Sequence, residues 1–124
     1  MMRLSALGKR IACSFALMFS VMSIGPALAA PGDNITTASK PISEVMVQTD
    51  GTSSYYYFRA GGGWEVPNCS GVALVYISAS DPGADAVLSA ALTARSSERP
   101  VSFSGICGDV NGNTHYVQIR GIFF

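Results

Sequence analysis

The chain has 124 residues, 48% of them hydrophobic and 13% charged, with eight basic side chains, eight acidic ones and a single histidine. Three of the bases (Arg3, Lys9 and Arg10) stand at the very start, so residues 30–124 keep five bases against eight acids, a net charge of −3 with His115 neutral. No basic cluster survives there, which excludes the electrostatic footprint of a nucleic-acid or anionic-lipid binder.

In chain order, the first segment has the three parts of a secretory leader. Arg3, Lys9 and Arg10 form a positive head, Ile11 to Ile24 is an apolar run, and Ala27-Leu28-Ala29 fits the small-residue cleavage rule. We expect a signal peptide over residues 1–29, cut after Ala29, and a secreted or periplasmic product. The apolar run is about 14 residues, short of the roughly 20 that span a bilayer as a helix, so no stable membrane span is expected after cleavage. Cys13 follows Arg10-Ile11-Ala12, with charge where the apolar run before a lipid-modified cysteine should lie.

Residues 30–43 are polar, contain Pro31 and Pro41 and lack periodicity, so they read as a flexible lead-in. Residues 44–124 read as one β-rich domain. Glu44–Asp50 alternates, with Val45, Val47 and Thr49 on one face, and Asp50-Gly51 is a hairpin turn pair. Ser54–Ala60 places Tyr55, Tyr56, Tyr57 and Phe58 on a second strand, ended by Gly61-Gly62-Gly63. Val72–Ala79 is apolar on both faces, as a central or oligomer-covered strand would be.

Asp81-Pro82 opens a helix, with Asp81 as the expected cap and Ala84, Val87, Leu88 and Ala91 along its inner stripe. Pro100–Gly105 alternates again, Asn111-Gly112 marks another hairpin, and His115–Phe124 is a last strand. There Val117, Ile119 and Phe123 share one face, and Gly121 marks a bulge. The order β-β-β-α-β-β is the layout of a five-stranded OB-like barrel; an open α+β sheet with one helix fits the same string.

Cys69 and Cys107 remain after leader removal, an even number in an oxidising compartment, which predicts a disulfide. Closing the intervening loop stabilises the fold by roughly 4 kcal/mol in the chain-entropy model.

Nothing predicts catalysis. His115 has no nucleophile signature beside it, and the scattered carboxylates have turn and helix-start roles. Asp109-Val110-Asn111-Gly112-Asn113 begins like a calcium loop, but Thr114 replaces the required glycine and Arg120 the bidentate glutamate. Gly61-Gly62-Gly63 lacks the lysine and helix of a phosphate loop. Neither a metal nor a cofactor is expected. The terminal Phe124 suits an outer-membrane barrel, but 95 residues with a helix inside cannot supply eight long strands.

Recognition falls to the aromatic segment. Alternate strand residues face opposite ways, so the large side chains from Tyr55 to Phe58 cannot share one core. Tyrosine and tryptophan pair an apolar body with a polar tip, which suits sugar faces and protein surfaces. Tyr55, Tyr57, Arg59 and Trp64 are the candidate ligand-binding residues, for a glycan or a protein surface.

From Glu44 to Phe124 the layout resembles the receptor-binding B subunits of bacterial AB5 toxins of the subtilase-cytotoxin and typhoid-toxin type. The resemblance rests on Tyr55-Tyr56-Tyr57-Phe58, on Cys69 before the central strand, and on the alanine-rich helix running into Arg99-Pro100-Val101-Ser102-Phe103. It departs from them in keeping two mature cysteines where those relatives often have more, and no sugar-contacting residue carries over. It implies an OB fold and a ring-forming, non-catalytic glycan-binding module, with Val72–Ala79, Ile122 and Phe124 meeting neighbouring subunits. The alternative is a monomeric periplasmic protein-interaction or inhibitor protein.

Overall fold

The computed structural model describes residues 30–124; the expected leader, residues 1–29, lies outside the described residues. Six strands and one helix follow in the order β1 (Asn34–Thr36), β2 (Ile42–Asp50), β3 (Ser53–Ala60), β4 (Leu74–Ser78), α1 (Ala84–Ser96), β5 (Ser102–Cys107) and β6 (Tyr116–Phe123). They form a single mixed sheet of order β1-β5-β6-β4-β3-β2, open in the sense that β1 and β2 are its two end strands. The protein is therefore mainly β with one helix on a six-stranded open sheet, as the open-sheet reading expects. All neighbours are antiparallel except β4 and β6, which run parallel because α1 and β5 intervene between them in the chain.

The lead-in is not a free tail. Ile35 is buried, and β1 pairs with β5 through Asn34↔Ile106, Ile35↔Gly105 and Thr36↔Ser104. Three residues with one apolar side chain carry no readable period, so sequence pattern alone does not distinguish this strand from a linker. Buried Thr37 continues the contact: its Oγ1 accepts from the Phe103 N–H (2.9 Å), and Lys40 bridges to Val101 before β2 turns away to pair with β3.

The core lies between the sheet and α1. Val75, Ile77, Val117, Ile119, Phe58, Phe103 and Val101 point into it, and Ala84, Ala91 and Ala94 let the helix approach closely. Phe58 stacks on Phe103 with ring centroids 5.5 Å apart. The Asp50↔Ser53 pair closes a two-residue turn made of Gly51 and Thr52, one residue later than the expected Asp50-Gly51 pair, with Gly51 in the left-handed region (φ 58°) at its first position. The helix starts two residues later than its Asp81-Pro82 signal. Gly83 (φ 80°) is the N-cap and supplies no side-chain cap, and it is the Asp81 carbonyl, not its carboxylate, that accepts from the Ala84 N–H (3.1 Å).

Beyond the bulge the outward and inward positions of β6 exchange. Ser104 pairs with Gly121 but Gly105 with Ile119, so Arg120 is the extra residue. Ile122 thereby packs against the core while Phe123 is exposed, the reverse of the simple alternation. Phe124 is also exposed, with the Arg99 guanidinium 5.2 Å from its ring centre.

Cys69 and Cys107 are joined, both almost fully buried. The bond ties the long loop before β4 to the end of β5, and it is compatible with an extracytoplasmic location. Among the described residues no helix is long and apolar enough to cross a membrane.

Candidate functional site: a tyrosine face and the cleft beside it

The sheet face opposite α1 follows from strand alternation. Phe58 and Ala60 point into the core, so Tyr55, Tyr57 and Arg59 on the same strand must point away. Register then extends the face sideways. Met46, Tyr57, Tyr76, Gln118 and Ile106 stand in one cross-strand row. Tyr55 and Ser78 flank it on one side, and Arg59, Leu74 and Tyr116 on the other.

Four tyrosines meet there. Tyr57 stacks on Tyr76 at 5.7 Å between ring centroids, Tyr116 meets Tyr76 edge-on at 6.0 Å, and Tyr55 lies 6.2 Å from Tyr76. Their hydroxyls find no hydrogen-bond partner among the described residues, and none is a buried unsatisfied group, so all four polar tips keep contact with solvent. Tyr56, pointing the other way, donates to the Asp85 carboxylate on α1 (3.0 Å), which pushes its own ionisation up.

Pairing between β4 and β6 stops at Tyr76↔Gln118. Past that point the two strands part, and the gap forms a cleft of about 920 Å³. The tyrosines wall one side of it, and its inner end reaches Pro82, Gly83 and Val87 at the start of α1. Asp81, Asp109, Asn113, Gln118 and Arg120 supply polar groups around it.

Asp109 is held firmly: its Oδ1 accepts from the Asn111 N–H (2.8 Å) and the Asn113 N–H (2.9 Å), so the β5–β6 loop is built around this carboxylate. The Asn111-Gly112 signal thus marks a turn inside a longer loop, not a two-residue hairpin. The electrostatics of the face follow. Burial, then Asp109, the neighbouring tyrosines and Asp81 push the Tyr76 hydroxyl up to about 12. Tyr57 is raised by burial first, then by Tyr116, Tyr55 and Asp109.

The sequence-proposed residues separate into two groups. Tyr55, Tyr57 and Arg59 share the open face, where Arg59 pairs with Glu44 (3.2 Å) in a half-exposed ion pair. Trp64 is elsewhere: it is 3% exposed in the core, its Nε1–H donates to the Phe58 carbonyl (3.0 Å), and its ring meets Phe103 edge-on at 5.1 Å. Gly62 and Gly63, both at positive φ, fold the chain back so that Trp64 covers Phe58 rather than joining Tyr57. Trp64 is a core residue.

Tyr76 and Tyr116 were missed. Both sit at alternating positions of recognised strands, and only the strand order shows that they adjoin Tyr57. His115 has a structural role: its Nδ1–H donates to the Gly71 carbonyl (2.8 Å), and its own carbonyl accepts from Ala73 and Leu74, fastening the loop before β4 to β6. Val72–Ala79 needs no neighbour to cover it, because Val75 and Ile77 are in the core and Tyr76 lies under its tyrosine neighbours. No family model, curated protein or solved structure matches the chain.

Proposed function

We propose that this protein is an exported, non-catalytic binding module, secreted or periplasmic, that takes a glycan on its tyrosine face, in the manner of a toxin B subunit. The observation that carries this is the four-tyrosine cluster with solvent-contacting, unpartnered hydroxyls beside a cleft of about 920 Å³. Flat aromatic surface with polar tips suits the alternating C–H faces and hydroxyls of a sugar.

Strand order supports an OB-like barrel. β2-β3-β4-β6-β5 with the helix between β4 and β5 has the layout expected for that fold. β1 and β2 are consecutive in the chain, touch β5 and β3, and are linked by the Lys40–Val101 bridge, so together they act as one bent first strand. OB folds bind oligosaccharides on the face of their second and third strands. Here those are β3 and β4, the strands of Tyr55, Tyr57 and Tyr76.

The test is a glycan array with the wild-type protein and Tyr57→Ala and Tyr76→Ala variants, with Trp64 fluorescence reporting that the core is intact. Each substitution weakens binding about tenfold or more. Wild-type protein that retains no glycan overturns the proposal. Mass in solution tests the ring that the toxin resemblance implies.

A second reading has its own observation. β2 is a nine-residue end strand whose Val47 is 61% exposed, a template for an added strand from a protein partner. A monomeric periplasmic interaction or inhibitor protein would use that edge. Pull-down from cell-envelope extract that is lost with Val47→Lys but kept with Tyr57→Ala favours it.

A further inference from the structure

We infer that the cleft beside the tyrosines selects uncharged sugars and turns away acidic ones, through the carboxylates of Asp81 and Asp109. This rests on the glycan-binding reading and adds the chemical class of the ligand.

The argument begins with the charges that line the cleft. Two are acids, Asp81 and Asp109, and one is a base, Arg120. Arg59, the other cation on the open face, is matched by Glu44 at 3.2 Å. The positive end of α1 also approaches the cleft at Gly83, but Asp85 in the first turn offsets it. The tyrosine hydroxyls therefore stand in a net negative field, and the upward displacement of Tyr76 has both Asp109 and Asp81 among its causes.

Fixed geometry makes that field selective. Asp109 cannot swing away from an incoming anion, because two backbone N–H groups of its own loop hold Oδ1. Its Oδ2 stays available to accept from a donor. Asp81 lies past the end of β4 and makes no side-chain hydrogen bond or ion pair among the described residues, so both its oxygens are acceptors without donors. Sugar hydroxyls supply donors in pairs, and the Gln118 Oε1 and Asn113 Nδ2 add one acceptor and one donor. The other amide atoms are engaged: Gln118 Nε2 donates to the Gly108 carbonyl (3.3 Å), and Asn113 Oδ1 accepts from the His115 N–H (3.0 Å). A ligand carboxylate or sulfate brings no donor and meets like charge, which is how a site rejects a competitor.

The experiment uses the full secreted protein and immobilised neutral oligosaccharides of hexose and N-acetylhexosamine, alongside the same oligosaccharides capped with sialic acid or sulfated. Neutral probes are expected to be retained at least about tenfold more strongly than their acidic counterparts, and the ratio narrows at high salt. Asp81→Asn and Asp109→Asn keep the shape of each side chain, and an asparagine oxygen at 109 still accepts the two loop N–H bonds. Each variant is expected to narrow the neutral-to-acidic ratio by about fivefold or more.

Acidic probes held as well as neutral ones, or a ratio unmoved by both substitutions, overturn this inference. If those acidic probes are then lost with Tyr57→Ala, the glycan-binding reading survives without it. A protein that holds none of the probes refutes both.

Discussion

Gly105 stands where the backbone of β6 leaves no room for a side chain on β5. A Cβ built there runs into the backbone carbonyl oxygen of Gln118 and comes within 2.9 Å of its carbon and 3.0 Å of Val117 Cγ1. The obstacle is main chain of the neighbouring strand, opposite the Arg120 bulge, so no rotamer change can clear it. Gly105→Ala must push β5 and β6 apart where Phe103 and Val117 are fully buried. Overpacking of that kind costs about 1–3 kcal/mol. Loosening the adjoining ladder hydrogen bonds adds about 0.5–1.5 kcal/mol for each one lost.

A total of about 3 kcal/mol is expected, against roughly 5–14 kcal/mol for a domain of this size. The midpoint of thermal unfolding then falls by roughly 12–24 °C. Urea unfolding followed by the emission of Trp64, the chain's one tryptophan, measures it directly. Gly61→Ala is the matched control, because its added Cβ meets nothing within 4 Å, and it should stay within about 0.5 kcal/mol of wild type. If Gly105→Ala is equally silent, the close β5–β6 crossing is wrong, and with it the placement of the bulge.

Two further outcomes are expected. Replacing Cys69 and Cys107 together by alanine removes a link spanning 38 residues and lowers stability by about 4 kcal/mol, measured by the same urea titration; a loss under about 1 kcal/mol contradicts it. Tyr76 ionises near 12 in the fold against 10.0 for the free side chain, so the native state keeps a proton that the unfolded state gives up. Stability from this group is complete below pH 10 and is lost as pH rises from 10 towards 12. Tyrosinate absorbance should show a last step near pH 12 that Tyr76→Phe abolishes, and that variant's stability should decline less steeply over the same range.

The segments that alternate or are bounded by turn residues could be read directly: β2, β3 and β6 each lie within two residues of their expected limits. Periodicity failed where it had too few residues to act on, as in β1, and where backbone geometry reset it, as in Ile122 and Phe123 past the bulge. The candidate site was legible in part. Tyr55, Tyr57 and Arg59 follow from alternation along one strand, which is local information. Tyr76 joins them through the antiparallel β3–β4 pairing across a long loop, and Tyr116 through the parallel β4–β6 pairing, contacts between segments that no short-range pattern encodes. Trp64 misled because composition cannot tell an aromatic beside a loop from one folded under it; the left-handed glycines decide that.

The place of β6 in the strand order governs when this protein can acquire its shape. It follows every other strand in the chain, yet it lies in the interior of the sheet, between β5 and β4. Until it emerges, the polypeptide holds two partial ladders, β1 with β5 and β2 with β3 and β4, joined by the Lys40–Val101 bridge and the Cys69–Cys107 bond but by no shared interior strand. A nascent chain of this topology cannot complete its sheet before β6 has been made. Removing Tyr116–Phe123 would cut the sheet in two, whereas an extension after the exposed Phe124 would leave every pairing in place.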